Sequence, residues 1–500
     1  MAATSIELSI VSHTNVGKTT LARTLLGREV GEVRDAPHVT ALAEPFTMIE
    51  TAEGDRLRLW DTPGFGDSAR LAKRLALSGN PIGWFLSEVW DRWRDRPFWS
   101  SQQAVRNVRE VADVVLYLVN AAEDPQQAGY VAPELRILAW IGKPVIVMLN
   151  QIGPPRPHAE EEAEETRWRE HVAPLGFVRQ VLTLDAFARL WVQEFTLLDA
   201  IATVLPEAKR AAFTRLAQAW RVRRYDQFDA SMDAIAAALA SAACDREVLD
   251  EQGMRARLRE VGVALGVGRS ASETAKERAM KRLTERLEAN LRGATDRLIS
   301  IHGLDGKAAA ATVLQRVAEN FATREPMNEG KAAVLGGLVS GALAGLTADL
   351  AAGGMTFGAG LLTGGVLGAL GAAGLARGFN MVRGAEESAV GWNDEFLVGL
   401  VDSQLLTYLA VAHYGRGRGE WREAEHPAFW THEVEAVLAP RKEVFQAIFR
   451  ERGEDCDAAR LAEALRSELT ACATELIERL YPGAMGDATV VPDASVPTAA

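Results

Sequence analysis

The feature that most constrains this chain is a short loop set between two different periodicities. Ile6-Glu-Leu-Ser-Ile-Val11 alternates apolar and polar side chains as a strand does, and a helical pattern starts near Lys18. Between and across them runs Ser12-His13-Thr14-Asn15-Val16-Gly17-Lys18-Thr19-Thr20. A tight loop of this composition turns successive backbone N–H groups toward one point at a helix N-terminus, where a phosphate is stabilised. Lys18 has the reach for β- and γ-phosphates, and the Thr19 hydroxyl suits Mg²⁺. Ser12 stands at the first position, where the pattern usually has glycine. The bland alternative is a plain strand–helix turn without a ligand.

Five hundred residues exceed what one hydrophobic core usually organises, so two or more domains are expected. Strand and helix patterns alternate over residues 1–205. Glu44–Glu50 and Arg56–Trp60 flank a Glu53-Gly54-Asp55 turn, as in a strand pair. Val114–Val119 and Pro144–Leu149 are continuous apolar runs suited to central strands covered on both faces. Phe177–Leu184 is a weaker sixth strand and Phe195–Leu205 a closing helix. The expectation is an α/β phosphate-loop NTPase domain with a mostly parallel sheet and helices on both faces. After Pro206 the strand signals stop. Residues 206–481 read as an all-α domain, with Met280, Leu283, Leu287, Leu291 and Leu298 on one helical stripe. Residues 482–500 carry few large side chains and read as a disordered tail.

A second element supports the phosphate site. Asp61-Thr62-Pro63-Gly64 follows the third strand, where an Asp can hold Mg²⁺ through water and the Gly64 N–H can sense a γ-phosphate. Thr40 lies between the first helix and the second strand and is the natural second Mg²⁺ hydroxyl; a plain loop threonine is the alternative. Thr-Asn-Val-Gly-Lys-Thr, a switch threonine and Asp-Thr-Pro-Gly, in this order, resemble the Era-like branch of translation-factor-type GTPases. The whole chain resembles a bacterial family of Era-like GTPases with a C-terminal domain of unknown function. The resemblance implies GTP and GDP as ligands and Lys18, Thr40 and Asn15 as the residues acting on the reacting phosphate. It implies that Ser12, Thr14–Thr20, Asp61, Gly64, Asn150 and Gln151 line the nucleotide, with Thr19, Thr40 and Asp61 around Mg²⁺.

The chain departs from that family twice. The family's base-reading motif is Asn-Lys-x-Asp, and here it is Asn150-Gln151-Ile152-Gly153. The carboxylate that pairs with guanine is missing, so guanine specificity is weakened or supplied elsewhere; Asp185 is a candidate for the base or for a capping role. Phe65 stands where Ras-like proteins place a water-orienting Gln, which predicts slow hydrolysis. In Era-like proteins with this replacement an Asn at the Asn15 position often binds K⁺, and dimerisation through the switch loops can accompany it. A loop-stabilising role for Asn15 stays open.

The second half offers a membrane reading. From Ala332 to Ala376 the only charged side chain is Asp349, and Gly337, Gly341 and Gly345, then Gly360, Gly364 and Gly368, recur four apart. Small residues so spaced let two apolar helices approach closely, and each half is about seventeen to twenty-two residues, near bilayer thickness. Lys331, Arg377 and Arg383 flank the pair, which suggests a hairpin with both ends cytoplasmic. The expected location is cytoplasmic, peripheral to or anchored in the inner membrane; a soluble, wrapped hairpin is the alternative. Lys209, Arg210, Arg215, Arg221, Arg223 and Arg224 could meet anionic lipid or form a solvated face. Trp84, Phe85, Trp90, Trp93, Phe98 and Trp99 could form a binding face or pack on their own domain.

The net charge of −12 argues against general nucleic-acid affinity. Three scattered cysteines argue against a disulfide framework and for a reducing compartment, and Met1-Ala-Ala-Thr-Ser leads into a strand without a signal peptide. Two other functions compete with a membrane-coupled switch: a ribosome- or RNA-assembly GTPase, and a soluble nucleotide-binding interaction protein.

Overall fold

The computed structural model describes residues 3–28, 30, 44–77, 79–87, 95–248, 271–308, 379–383, 388–419, 421, 426–453 and 455–485. The first part is built on six strands: β1 (Ser5–Ser12), β2 (Glu44–Glu50), β3 (Arg56–Asp61), β4 (Val114–Asn120), β5 (Val145–Asn150) and β6 (Val178–Thr183). Their order is β2-β3-β1-β4-β5-β6, and every pairing is parallel except β2 with β3. Residue alternation assigns the two faces. Val114, Leu116 and Leu118 enter one core, while Val115, Tyr117 and Val119 enter the other. Both sets are fully buried, which is why β4 reads as a continuous apolar run.

Helices α1 (Lys18–Leu26) and α7 (Val192–Val204) cover the first face. The second is covered by α2 (Ser68–Leu75), α3 (Pro81–Ser87), α4 (Arg96–Glu110), α5 (Val131–Ile141) and α6 (His158–Val172). Phe85 and Phe98 are buried in this second core and Trp84 packs against it, so these aromatics serve their own domain. Trp90 and Trp93 lie outside the described residues.

The helical half comprises α8 (Glu207–Cys244), α9 (Ala271–Ile301), α10 (Asp394–Ala412), α11 (Ala428–Leu438), α12 (Lys442–Arg450) and α13 (Ala458–Leu480). The predicted stripe on α9 is real: Leu283, Leu287, Leu291 and Leu298 are buried. Its core is not separate. Residues of α8 to α13 form one contiguous cluster with the sheet face under α1 and α7. Helix α10 runs through the middle with nearly every residue buried; Asn393 caps it by accepting from Phe396 N at 2.8 Å. It is the one helix among the described residues long and apolar enough to cross a membrane, and it is instead enclosed by protein. The glycine-rich segment 332–376 lies outside the described residues, as does the tail from 486.

Three sequence expectations need correction. The second half is not wholly helical: β7 (Arg246–Val248), β8 (Phe379–Arg383) and β9 (Ser388–Trp392) form an antiparallel sheet in the order β7-β9-β8. Strands of three to five residues are too short to impose a period-two pattern. Cys244 and Cys456 are disulfide-bonded, with Cα atoms 5.4 Å apart although 212 residues separate them. Distance along the chain carried no information about distance in space.

Most of the basic run on α8 is ion-paired with protein, while Arg210 and Arg223 stay exposed. Lys209 meets Asp113 at 2.6 Å, Arg215 meets Asp55 at 2.5 Å and Arg221 meets Asp199 at 2.7 Å. Arg210 pairs within its own helix with Glu207, and Arg223 lies over the Trp220 ring. Arg224 grips the buried Glu194 through two nitrogens at 2.8 and 2.9 Å, and Trp220 Nε1 donates to the same carboxylate. Lys209, Arg215, Arg221 and Arg224 thus bind α8 to acidic residues of the α/β part.

Candidate functional site

The loop Ser12–Thr19 joins β1 to α1, with Asn15 and Gly17 in the left-handed region at φ 67° and 95°. At Gly17 the backbone opens α1, and a Cβ there would stand 2.8 Å from Asn150 Nδ2. Only glycine satisfies both the conformation and the close approach. The chain then turns Lys18 inward. Its Nζ donates to Ser12 Oγ at 3.1 Å and to the His13 carbonyl oxygen at 3.3 Å. Burial pushes the Lys18 pKa down, while Asp61 and Glu134 pull it back up. The Ser12 hydroxyl thus gives the ammonium a local acceptor in the position where glycine is usual.

Thr19 Oγ1 donates to Asp61 Oδ2 at 2.5 Å, which unites the start of α1 with the end of β3. A hydroxyl and a carboxylate side by side are the hard oxygen donors that Mg²⁺ takes, so this pair fits the ion. Gly64 lies across from them: a Cβ there would meet Lys18 Nζ at 3.0 Å and Thr14 Cγ2 at 2.9 Å. Its backbone therefore packs closely against the phosphate loop. Phe65 N donates to the Ser12 carbonyl oxygen at 2.9 Å, and its ring is fully buried in the core beneath α2 to α4. That orientation takes the phenyl group away from the phosphate side. Thr40 lies outside the described residues.

Asn15 stands exposed on the loop. Among the described residues its side chain makes no hydrogen bond that would brace the loop.

Asn150 is buried and holds three segments together. Its Nδ2 donates to the Val16 carbonyl oxygen at 2.7 Å, and its Oδ1 accepts from Ala186 N at 2.8 Å. Gln151 and Gly153 follow with φ 61° and 97°. Asp185 accepts from Ile152 N at 2.6 Å and Phe187 N at 2.7 Å. Burial raises its pKa, against backbone donors and the Arg418 charge. Both of its oxygens are therefore engaged in tying the loop after β5 to the loop after β6, the capping role rather than a carboxylate presented to a base.

Three groups escaped the sequence reading. Glu134, fully buried on α5, binds His13 Nδ1 at 2.7 Å and accepts from the Tyr117 hydroxyl at 2.9 Å. The His13 ring stacks on Tyr130 with centroids 4.8 Å apart. Burial raises the Glu134 carboxyl pKa, opposed by His13 and Tyr117. This cluster fixes the second residue of the phosphate loop. The apolar setting of Glu134 in Val131–Ile141 was the available signal, since a carboxylate inside such a run needs a partner. The loop that carries Arg416 and Arg418 reaches the α/β part from the helical half, and nothing local in the sequence announces that.

Residues 7–151 match a family described as 50S ribosome-binding GTPase, and residues 169–478 match the family described as domain of unknown function (DUF3482). The chain is 27% identical over 146 residues to GTPase Era from Geobacter sp. (strain M21), an alignment covering 29% of this chain and 39% of that protein. It thus spans well under half of that relative's length. Among solved structures, it resembles Era in complex with MgGDPNP and a piece of 16S ribosomal RNA. That match has 20% identity and a TM-score of 0.30, over 41% of this chain and 58% of the other. An Aquifex aeolicus Era variant bound to GDP and AlF₄⁻ matches with 21% identity and a TM-score of 0.29, over the same shares. The phosphate loop, the Asp61 element and the Asn150 loop stand together ahead of the longer matched region, and the chain belongs to the DUF3482 family, with an Era-like P-loop GTPase domain at its N-terminal end.

Proposed function

We propose that the protein is a GTP-binding switch that hydrolyses GTP slowly and passes its nucleotide state to the helical half. The observation that carries this reading is the Thr19–Asp61 contact beside the buried Lys18, with Gly64 against Lys18 and Thr14. In this reading Lys18 holds the β- and γ-phosphates, while backbone N–H groups from Thr14 to Thr20 cradle them. Thr19, Asp61 and Thr40 hold Mg²⁺, which supplies charge neutralisation between the phosphates. Gly64 senses the γ-phosphate through its N–H, and Asn150 with Gln151 supports the base. Slow turnover follows from the buried Phe65 ring, which leaves no side chain at that position to orient water. K⁺ at Asn15, with a dimer formed through the switch loops, would supply the missing charge.

The continuous core and the ion pairs of α8 support transmission into the helical half. The glycine spacing of 332–376 supports a lipid-facing output of that half at the inner membrane. Equilibrium dialysis with GTPγS and Mg²⁺ tests the binding step: Lys18→Ala should weaken it by more than about 100-fold. Retained affinity would refute this placement of the site. Flotation with anionic vesicles tests the output, and equal flotation of a chain lacking 332–376 would remove the membrane from it. A second reading, a ribosome-directed GTPase, is favoured by the description of the family matched at 7–151; co-sedimentation with ribosomal subunits distinguishes it.

A further inference from the structure

We infer that the Gly415-Arg-Gly-Arg-Gly419 loop of the helical half forms one wall of the base site, and that Arg418 selects guanine over adenine there. The inference rests on the nucleotide-binding reading above and deepens it.

The loop is built against the α/β part at close range. Gly415 N donates to the Phe187 carbonyl oxygen at 3.1 Å, and Gly417 N donates to that of Ala186 at 3.2 Å. A Cβ on Gly415 would stand 2.2 Å from the Ala186 oxygen; one on Gly417 would stand 2.6 Å from the Thr20 methyl and 2.9 Å from the Phe187 ring. Both glycines are thus required by approach alone. Ala186 is the residue whose N–H binds Asn150 Oδ1, and Thr20 follows the Mg²⁺ hydroxyl of Thr19. The loop therefore touches the segment after β6 and the first turn of α1 together, and the first of these is bonded to Asn150, the residue assigned above to the base.

The two arginines differ. Arg416 is held by the Gly303 carbonyl oxygen and by Asp305 at 3.3 Å, so it anchors the loop to the end of α9. Arg418 is exposed, lies over the Tyr414 ring at 5.6 Å and acts electrostatically on Asp185. Chemistry then favours one role. Guanine offers donors at N1 and the 2-amino group, which a carboxylate reads, and acceptors at O6 and N7, which a guanidinium reads. The carboxylate is absent at Gly153, where a Cβ would meet nothing within 4 Å, and Asp185 spends both oxygens on backbone N–H groups. Beside Gln151, Arg418 then adds a side chain that only donates. It fits O6 and N7 of guanine and opposes the 6-amino donor of adenine.

The test uses the full chain with Mg²⁺ and equilibrium dialysis of GTPγS, ATPγS and inosine triphosphate. The wild-type protein should prefer GTPγS to ATPγS. It should bind inosine triphosphate, which lacks the 2-amino group, within about threefold of GTPγS, because no carboxylate reads that group. Arg418→Ala should lower the GTPγS-to-ATPγS ratio by about tenfold while ATPγS affinity changes by less than about twofold. Arg418 is exposed, so the variant is expected to fold. Gly417→Ala, which pushes the loop off Thr20, should lower the ratio in the same direction. An unchanged ratio in Arg418→Ala overturns the inference, as does rejection of inosine triphosphate by about tenfold or more. A wild-type chain that binds none of the three overturns the nucleotide-binding reading itself, a separate result.

Discussion

The Asn150 side chain donates to the Val16 carbonyl oxygen at 2.7 Å, so the loop after β5 and the phosphate loop form one unit. The same amide accepts from Ala186 N, which adds the loop after β6. Asn150→Ala would leave a buried carbonyl and a buried N–H without partners, at a cost of about 1–3 kcal/mol each. Urea unfolding should show that loss, together with weaker GTPγS binding. Asn150→Asp keeps the acceptor for Ala186 but sets a buried carboxylate oxygen against the Val16 carbonyl oxygen, so it should lose at least as much. A variant as stable as the wild type would mean that the three loops are held independently.

The α8 cations make a second prediction. Asp55 in the β2–β3 turn is buried, and Arg215 reaches it with Nε at 2.8 Å and Nη2 at 2.5 Å. Arg215→Ala should destabilise the chain by about 1–2 kcal/mol, less than a fully buried pair because Arg215 is partly exposed. The double variant with Asp55→Asn should lose less than the sum of the two single variants. Strict additivity would show that the pair is energetically idle.

Acid sensitivity follows from two histidines at the junction. Burial lowers the pKa of His302 to about 3 and of His413 to about 4, from an ordinary value near 6.5. His413 is wedged between the Leu409 carbonyl oxygen and the Tyr481 hydroxyl, in contact with Trp430. Both are neutral in the folded chain at pH 7. As pH falls below about 6.5 the unfolded chain takes up protons that the folded chain refuses, so stability declines down to about pH 4 for His413 and about pH 3 for His302. Thermal melts from pH 7 to 4 should show this decline, and His413→Gln should flatten it. An equally steep decline in that variant would assign the sensitivity to other groups.

The cation prediction concerns turnover. Hydrolysis should be slow in Na⁺ and faster in K⁺, and Asn15→Ala should abolish the difference. Charge placed at the phosphates is worth about 10³ to 10⁵ in rate when an arginine supplies it, which bounds the gain available to K⁺. Single-turnover rates in the two salts, over a range of protein concentrations that would reveal a dimer requirement, check it. Equal rates throughout would remove K⁺ from the mechanism.

Much of the α/β part was legible because its signals are local. The Ile6–Val11 alternation, the Gly17-Lys18-Thr19 turn and the apolar run at Val114–Val119 each report a strand, a loop or a buried face within a few residues. The strand that ends at Asn150 was readable for the same reason. What escaped depends on pairs distant in sequence. The α8 cations look like a solvated face until Asp55, Asp113, Asp199 and Glu194 are brought opposite them. The Gly415–Gly419 run reads as an ordinary turn, since its close approach to Ala186 and Thr20 is visible only in three dimensions. The short strands of the β7-β9-β8 sheet lack the length to show a period.

The Cys244–Cys456 bond closes residues 244–456 of the helical half into a covalent ring. The glycine-rich segment 332–376 lies on that ring, between the two cysteines in sequence. A protease that cuts there severs the backbone without releasing either piece, and the fragments separate only after a thiol reductant is added. The chain can thus lose the continuity of its most apolar stretch while α8 and α13 stay tethered across the cut.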